Sequence, residues 1–419
     1  MQSGMKIIVV GKGGREHALI QALQDSPSKP ELYAWPGSEG MGDQITRVDV
    51  AGLEELIAYV DSENIDLVVA GEEAWLAKGL GDRCKTAGVP CWGPLQEPAQ
   101  LESSKIYAKQ FMTRHSIPTG DFHVVSTLAE AKEKIDGYPT VLKYNGLAAG
   151  KGVAVCFEEA QADEFLDTVF TQKKFGDDDV FIEEFLAGKE VSVICAVADR
   201  EFVVFTPARD YKRLKDNDEG PNTGGMGAVA SRNLLDAETM MDIENDIIGP
   251  TVNGLADDGI EYRGFLYFGI ILTATGPKIL EYNCRFGDPE AQAVLPIVGG
   301  EFAGFLHGGA QGALDSSILE FDDGWSICLV KASRDYPYSS GSGDTISGLE
   351  SVQNGRVYHA GTKRNAEGQY ETNGGRVLAV AAKGKTRSEA VENVYREAEH
   401  VQFDGAVIRT DIGKMHFED

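Results

Sequence analysis

The stretch KYNGLAAGKGVAV (143–155) is where the reading of the fold divides. It comes close to the phosphate loop Gly-x-x-x-x-Gly-Lys-Ser/Thr and departs from it twice. Three residues, not four, separate Gly146 from Gly150, and Gly152 follows Lys151 where a metal-binding hydroxyl belongs. In a phosphate loop the lysine begins a helix, whereas here strand-like runs stand on both sides, PTVLKYN (139–145) and GVAVC (152–156). Two readings stay open for this stretch alone. One is a glycine-rich hairpin with two solvated lysines. The other is a cover whose amides close over phosphates, with Lys143 as a point charge at the strand end.

The neighbouring runs extend the pattern. SKIYAKQFMTRHSIP (104–118) reads as a helix stopped by Pro118, QADEFLDTVF (161–170) as a helix and VFIEEFL (180–186) as a strand, making a small sandwich-like lid at about 119–188. The last strand bears Glu183 and Glu184, with Glu190 beyond. Such a strand either presents backbone to an adenine edge and a carboxylate to ribose, or is an edge strand with solvated acids.

Before the lid, KIIVVG (6–11), ELYAW (31–35), IDLVVAG (65–71) and PCWGP (90–94) read as strands. They alternate with the helical patterns 15–24, 53–62 and 77–88, a doubly wound α/β unit. After the lid, strands dominate: 190–198, 201–209, 264–274 and 278–286. They enclose a polar, glycine-rich loop, KDNDEGPNTGGMGA (215–228). A further shift comes near 325, SSGSGDTISG (339–348) reads as a flexible surface loop, and 386–401 as a closing helix. The expected division is therefore 1–103, 104–325 and 326–419.

Composition narrows the function. With 419 residues, 42% hydrophobic and 25% charged, the chain is an ordinary multidomain globular protein. A net charge of -27 argues against sequence-independent nucleic-acid binding, which needs a basic surface. No window approaches the ~18 apolar residues of a membrane span, and the six cysteines contain no Cys-x-x-Cys pair. The expectation is a reduced, cytoplasmic protein without membrane or nucleic-acid partners.

Three further motifs bear chemistry. In KILEYNCRFGDPE (278–290), alternation sets Glu281, Asn283 and Arg285 on one face and Tyr282, Cys284 and Phe286 on the other. An acid and an amide two residues apart offer hard oxygens to magnesium, and Arg285 beside them can fork onto a carboxylate. In GKGGREH (11–17), a strand feeds a glycine turn that opens a helix, a setting for an anion or a plain turn; Arg15 favours the anion. Glu16 stands where the dinucleotide fingerprint has its third glycine, which disfavours a nicotinamide cofactor. ARDYKR (208–213) and GPNTGGMG (220–227) add cations and open amides suited to a loop that closes over substrate.

Taken in order, GGREHAL (13–19), LESSK (101–105), NGLAAGKGV (145–153), IEEFLAG (182–188), GPNTGGMGA (220–228), EYNCRFGDPE (281–290), HAGTK (359–363) and TNGGRVL (372–378) make the chain resemble, end to end, the glycinamide ribonucleotide synthetases of the ATP-grasp superfamily. The resemblance implies an N-terminal α/β domain, a lid, a central antiparallel-sheet domain and a C-terminal α+β domain. It implies ATP between lid and central domain, with Lys105, Lys143, Gly146, Gly150, Lys151 and Gly152 at the phosphates. It implies Glu183, Glu184 and Leu186 at adenine, Glu190 at ribose, and Glu281 and Asn283 on Mg2+, with Mn2+ able to stand in. The substrates it implies are glycine, 5-phosphoribosylamine and ATP, handled by a monomer or weak homodimer. Gly13, Gly14, Arg15, Glu16, Glu73, Asp210, Lys212, Asn222, Arg285 and Asp288 are the implied substrate contacts, with Arg285 and Lys143 catalytic.

The chain departs from the family pattern at three places. GEEAWL (71–76) stands for Gly-Pro-Glu-Ala-Pro-Leu, KYNG (143–146) for Lys-Ala-Asp-Gly, and RDYKR (209–213) for Gln-Asp-His-Lys-Arg. The changes at Glu72, Trp75, Arg209 and Tyr211 leave open a carboxylate–amine ligase with a different acid or amine. The change at Asn145 bears on how the loop closes. A nucleotide-binding regulator without turnover is the third reading, and the intact Lys143, Glu281 and Asn283 speak against it.

Overall fold

The computed structural model describes residues 4–146 and 152–414. The N-terminal unit is a five-stranded parallel sheet in the order Thr46–Arg47, Glu31–Pro36, Lys6–Gly11, Leu67–Ala70, Cys91–Trp92. Its central strand is buried on both faces. Ile7 and Val9 join the core under helix Gly14–Asp25, and Ile8 and Val10 join the core under helix Leu53–Ser62. The strand order reverses between Lys6–Gly11 and its neighbour Leu67–Ala70, which opens a crevice at Gly11 and Gly71. Ligands of open α/β sheets bind at such switch points.

The lid is one four-stranded antiparallel sheet, ordered Phe122–Val125, Val180–Glu184, Thr140–Tyr144, Val153–Cys156, rather than a sandwich. Helices Leu128–Lys134 and Glu159–Leu166 share one small core with it. Thr140–Tyr144 and Val153–Cys156 pair antiparallel, so the 146–152 segment joins two strands, as a phosphate loop does not. Gly150 and Lys151 lie outside the described residues.

The central sheet runs Gly276–Asn283, Arg263–Thr273, Lys189–Ala198, Ala208–Asp210, Gly227–Ser231, Trp325–Ala332, Arg376–Gly384, Arg356–His359, with Glu201–Val204 also paired to Lys189–Ala198. It passes straight through residue 325, because Trp325–Ala332 bonds to Gly227–Ser231 on one side and Arg376–Gly384 on the other. Ile194 and Ala196 face the core shared with helix Gly14–Asp25, while Val191, Val193, Cys195 and Val197 face the opposite one.

Three local expectations are corrected. The single strand expected at 201–209 is two, Glu201–Val204 and Ala208–Asp210, and Pro207 between them has no N–H to give a ladder. The 77–88 helix is shortened to Leu80–Ala87, with Gly79 at φ 83° separating it from a short helix, Glu73–Ala77. The supposed loop at 339–348 holds the strand Gly341–Thr345, paired with Tyr370–Gly374. Among the described residues, no helix is long and apolar enough to cross a membrane.

Candidate active site

The N-terminal crevice is built by close backbone packing. Gly11 has φ 134°, and a Cβ there would sit 2.5 Å from Glu16 Cγ. Glu16 occupies the space a third glycine would have left open. It is 1% exposed, accepts from the Gly13 N–H at 2.7 Å and pairs with Arg15 Nε at 2.6 Å. Its carboxylate is engaged inside the turn, shaping Gly13 and aiming Arg15. Gly14 packs directly on Gln292, where a Cβ would meet Nε2 at 2.6 Å.

Arg15 reaches Glu73 Oε2 at 3.5 Å, and Arg285 reaches the same oxygen at 3.2 Å. Arg285 also pairs with Glu102 Oε1 at 2.7 Å, while Glu102 Oε2 accepts from the Cys284 N–H at 2.7 Å. Burial alone would raise the Glu73 carboxyl, but Arg285 and Arg15 hold it down at about 2. Burial dominates at Glu102, whose carboxyl is raised despite Arg285. Glu102 is the functional neighbour that sequence reading missed, although it lies inside the LESSK motif. Asp288 accepts from Gln292 Nε2 at 2.7 Å and pairs with Arg376 at 3.1 Å. Arg376 Nη1 also holds the Gly224 carbonyl at 2.6 Å, which ties the 223–226 segment to Asp288. Asn222, at the exposed end of the hairpin Arg213–Lys215/Glu219–Asn222, lies next in that chain.

The second half of the site lies between the lid and the edge of the central sheet. Along Gly276–Asn283 and its continuation, Tyr282, Cys284 and Phe286 are buried, Glu281 is exposed, and Asn283 and Arg285 are half-buried. Glu281 lies close enough to Lys105 to counter the burial that lowers that lysine. Lys105 Nζ donates to the Gly146 carbonyl at 3.4 Å, and Lys143 Nζ to the Leu280 carbonyl at 3.3 Å. Both lysines thus stand at the mouth of the 146–152 loop, beside Glu281. Gly152 closes the other end, its carbonyl accepting from the Tyr144 N–H at 2.7 Å.

The Glu183 side chain is turned inward. It is 2% exposed and is shared by Lys109 and Lys143 as an ion pair on each oxygen. The carboxylate thus serves the base of the lid, and the expected meeting of the 183–186 strand with adenine would fall to its backbone. The sheet ladder stops at Glu184, so the backbone from Phe185 to Ala187, Leu186 included, lies outside it. Glu184 is exposed, 3.6 Å from Lys278.

Glu190 and Lys212 form an ion pair at 2.6 Å, and Lys212 holds Glu190 below the usual carboxylate range. Asp210, on the same face, is pushed up to about 7 by burial and by Glu290, Glu190 and Glu281, with Lys212 opposing. Glu290, also missed in the sequence, is 3% exposed and accepts from Ser192 Oγ at 3.0 Å. Arg209 and Tyr211 point the other way: Tyr211 sits in the core under helix Arg387–His400, with Arg209 stacked 5.2 Å over its ring. The departures at these two positions therefore lie on the far side of the sheet from Asp210 and Lys212. Trp75 packs on Trp35 with ring centroids 4.5 Å apart, which leaves Glu72 as the changed residue at the crevice. Asn145 accepts from the Ile106 N–H at 3.1 Å and donates to Asp178 at 2.9 Å. An aspartate there could not make the second bond and would face a like charge.

The donor set suits a hard divalent cation. The Glu281 carboxylate and Asn283 amide share one face, and no described residue engages either side chain by hydrogen bond or ion pair. Among the described residues there is no group of three or more His, Cys, Asp or Glu placed to hold a metal unaided. A cation held by this one carboxylate and one amide would need further oxygens, such as those of a bound phosphate.

Comparison with known proteins finds relatives along the length of the chain. Three family models match: the phosphoribosylglycinamide synthetase N domain at residues 5–102, its ATP-grasp (A) domain at 103–291 and its C domain at 326–415. A phosphoribosylamine–glycine ligase of Caldanaerobacter subterraneus subsp. tengcongensis is 40% identical over 97% of this chain and 99% of that protein. The crystal structure of phosphoribosylamine–glycine ligase from Thermotoga maritima superposes with a TM-score of 0.87 at 34% identity, covering 97% of this chain and 100% of that one. The biotin carboxylase domain of Hydrogenobacter thermophilus 2-oxoglutarate carboxylase, solved with MgADP, shares the fold at 18% identity and a TM-score of 0.74, covering 97% of this chain and 92% of that one.

Proposed function

The chain belongs to the phosphoribosylglycinamide synthetase family, and from that premise we propose how its residues join glycine to 5-phosphoribosylamine with ATP, giving glycinamide ribonucleotide, ADP and phosphate. The enzyme is an ATP-dependent carbon–nitrogen ligase of purine biosynthesis. The observation that supports the site assignment is one continuous track. Strand Gly276–Asn283 brings Glu281 and Asn283 beside Lys105 and Lys143, and two residues on, Arg285 reaches Glu73 at the N-terminal crevice.

A glycine carboxylate at Arg285 lies between the phosphates and the crevice. Its oxygen attacks the γ-phosphorus, the bond to the β-phosphate oxygen breaks, and ADP leaves with that electron pair. The amine of 5-phosphoribosylamine, held at Gly13, Gly14, Arg15 and Glu73, then attacks the glycyl phosphate carbonyl; the carbon–oxygen bond to phosphate breaks, and phosphate departs with that electron pair and takes up the proton the nitrogen loses. Lys105 and Lys143 neutralise the phosphates, and Arg285 holds the carboxylate and then the acyl phosphate oxygens by its forked donors. Glu281 and Asn283 would hold the divalent ion, magnesium by preference, which would supply positive charge to the phosphates. Most of the catalysis is positioning and charge neutralisation, with no covalent enzyme nucleophile.

The test is incubation with ATP, Mg2+, glycine and freshly generated phosphoribosylamine, following ADP and product mass. ADP formation that needs both substrates, with the product mass of glycinamide ribonucleotide, is expected. ADP formation only with another acid or amine would refute the substrate assignment.

A further inference from the structure

The base of the lid contains a charge arrangement that the reaction as described does not use. Lys105 and Lys109 stand four residues apart on one face of helix Lys105–Arg114. Lys105 points to the 146–152 loop. Lys109 turns inward, 4% exposed, and donates to Thr119 Oγ1 at 2.5 Å, to the Gly120 carbonyl at 3.4 Å and to Glu183. Glu183 lies on the lid strand Val180–Glu184, and its second oxygen holds Lys143. Two cations thus share one buried carboxylate, and only one of them opens on the cleft.

A buried carboxylate left without a partner is costly. With Lys143 as its only counter-ion, Glu183 would hold that lysine back from any other anion. Lys109 removes the constraint, because it is sealed from ligand and stays with Glu183 whatever Lys143 does. The trio bears one net positive charge, and that charge is delivered at Lys143. Burial would raise the Glu183 carboxyl, yet the two lysines hold it below the usual range.

We propose that Lys109 is a positioning residue for ATP: it keeps Glu183 paired, so that Lys143 can turn from that carboxylate to the phosphates. The inference rests on the reading of Lys143 as a phosphate ligand. It also gives helix Lys105–Arg114 a double task, with Lys105 at the loop and Lys109 anchoring the lid strand at the chain's entry into the lid near Thr119.

The experiment measures binding of MgATP alone to the full-length protein by calorimetry, without glycine or amine, so that it does not depend on the identity of either. Lys109→Met is expected to weaken binding about ten- to hundredfold, the ratio supplied by one hydrogen bond to a charged group, and Lys109→Arg to recover most of it. Because Lys109→Met risks folding, the same question is put to a second pair. In a Glu183→Gln background, where no carboxylate restrains Lys143, adding Lys109→Met should change binding by less than about twofold. A purely structural Lys109 would weaken binding in both backgrounds. Unchanged binding in Lys109→Met, or equal losses in the two backgrounds, would overturn the inference. Lys143→Met separates the two levels: if it binds MgATP normally, the phosphate role of Lys143 fails and this inference with it. If it binds poorly while Lys109→Met binds normally, this inference alone fails.

Discussion

The joint between the N-terminal unit and the end of the central sheet should lose stability in mild acid, because two histidines are buried there as neutral rings. His17, two residues after Arg15, and His359, at the end of strand Arg356–His359, stand with ring centroids 5.7 Å apart. His17 Nδ1 accepts from the His359 backbone N–H at 2.9 Å, which leaves that nitrogen no room for a proton. Burial first, then the neighbouring His359, lowers His17 from 6.5 to about 3; burial and Arg364 lower His359 from 6.5 to about 4. Both folded values lie below the unfolded ones, so the unfolded chain binds more protons in acid. The stability these groups contribute is present above 6.5 and is lost as pH falls toward 4 and then 3. At about pH 5 both rings are still neutral in the folded protein, while each unfolded ring is mostly protonated. The 1.5-unit gap costs about 2 kcal/mol per histidine, or about 4 kcal/mol for the pair. Urea denaturation of the first cooperative transition at about pH 7 and pH 5 checks this with His17→Asn, His359→Asn and the double variant. Each substitution has its own packing cost, so the quantity compared is the change between the two pH values, in which the carboxylates common to all four proteins cancel. Wild type should lose about 2 kcal/mol more than either single variant and about 4 more than the double. Superposable pH dependence in all four proteins would refute the reasoning.

Glu281→Ala should leave stability within about 0.5 kcal/mol, since the side chain is exposed and makes no hydrogen bond or ion pair among the described residues, yet reduce turnover about a hundredfold or more; unchanged kcat and magnesium dependence would remove its metal role. Arg285→Lys keeps the charge but cannot reach Glu73 and Glu102 together, so kcat with glycine should fall by about a hundredfold while ATP affinity, measured separately, stays near wild type. Asn145→Asp should raise KM for ATP severalfold by opposing Asp178, and adding Asp178→Asn should restore it; additive losses would count against the tether.

Much of the site was legible because its residues sit on regular elements. Glu281, Asn283 and Arg285 share a face for the same reason that Tyr282, Cys284 and Phe286 are buried: successive strand side chains alternate. The loop at 143–155 could be separated from a phosphate loop because strands flank it on both sides. Glu102, Lys109, Glu290 and Arg376 were not legible. Their roles come from partners far along the chain, as when Glu102 meets residue 284 or Lys109 meets Glu183. With 66 acidic and 39 basic residues, nothing local says which of them meet. The departures at Arg209 and Tyr211 had a bearing on substrate choice in the sequence, and the structure turns both to the reverse face of their strand.

The sequence by itself determined the alternating strands and helices of the N-terminal unit, the glycine turn that follows its first strand, and the face on which Glu281 and Asn283 stand, because covalent geometry and side-chain period are local. Only the tertiary structure decided that Glu16 and Glu183 are sealed inside while Glu281 is open, that Gly341–Thr345 is a strand, and that the central sheet continues through residue 325. The physical reason is the same each time. Desolvation and ion pairing depend on which distant groups arrive, and a polar segment becomes a strand only when a neighbouring edge supplies its hydrogen bonds.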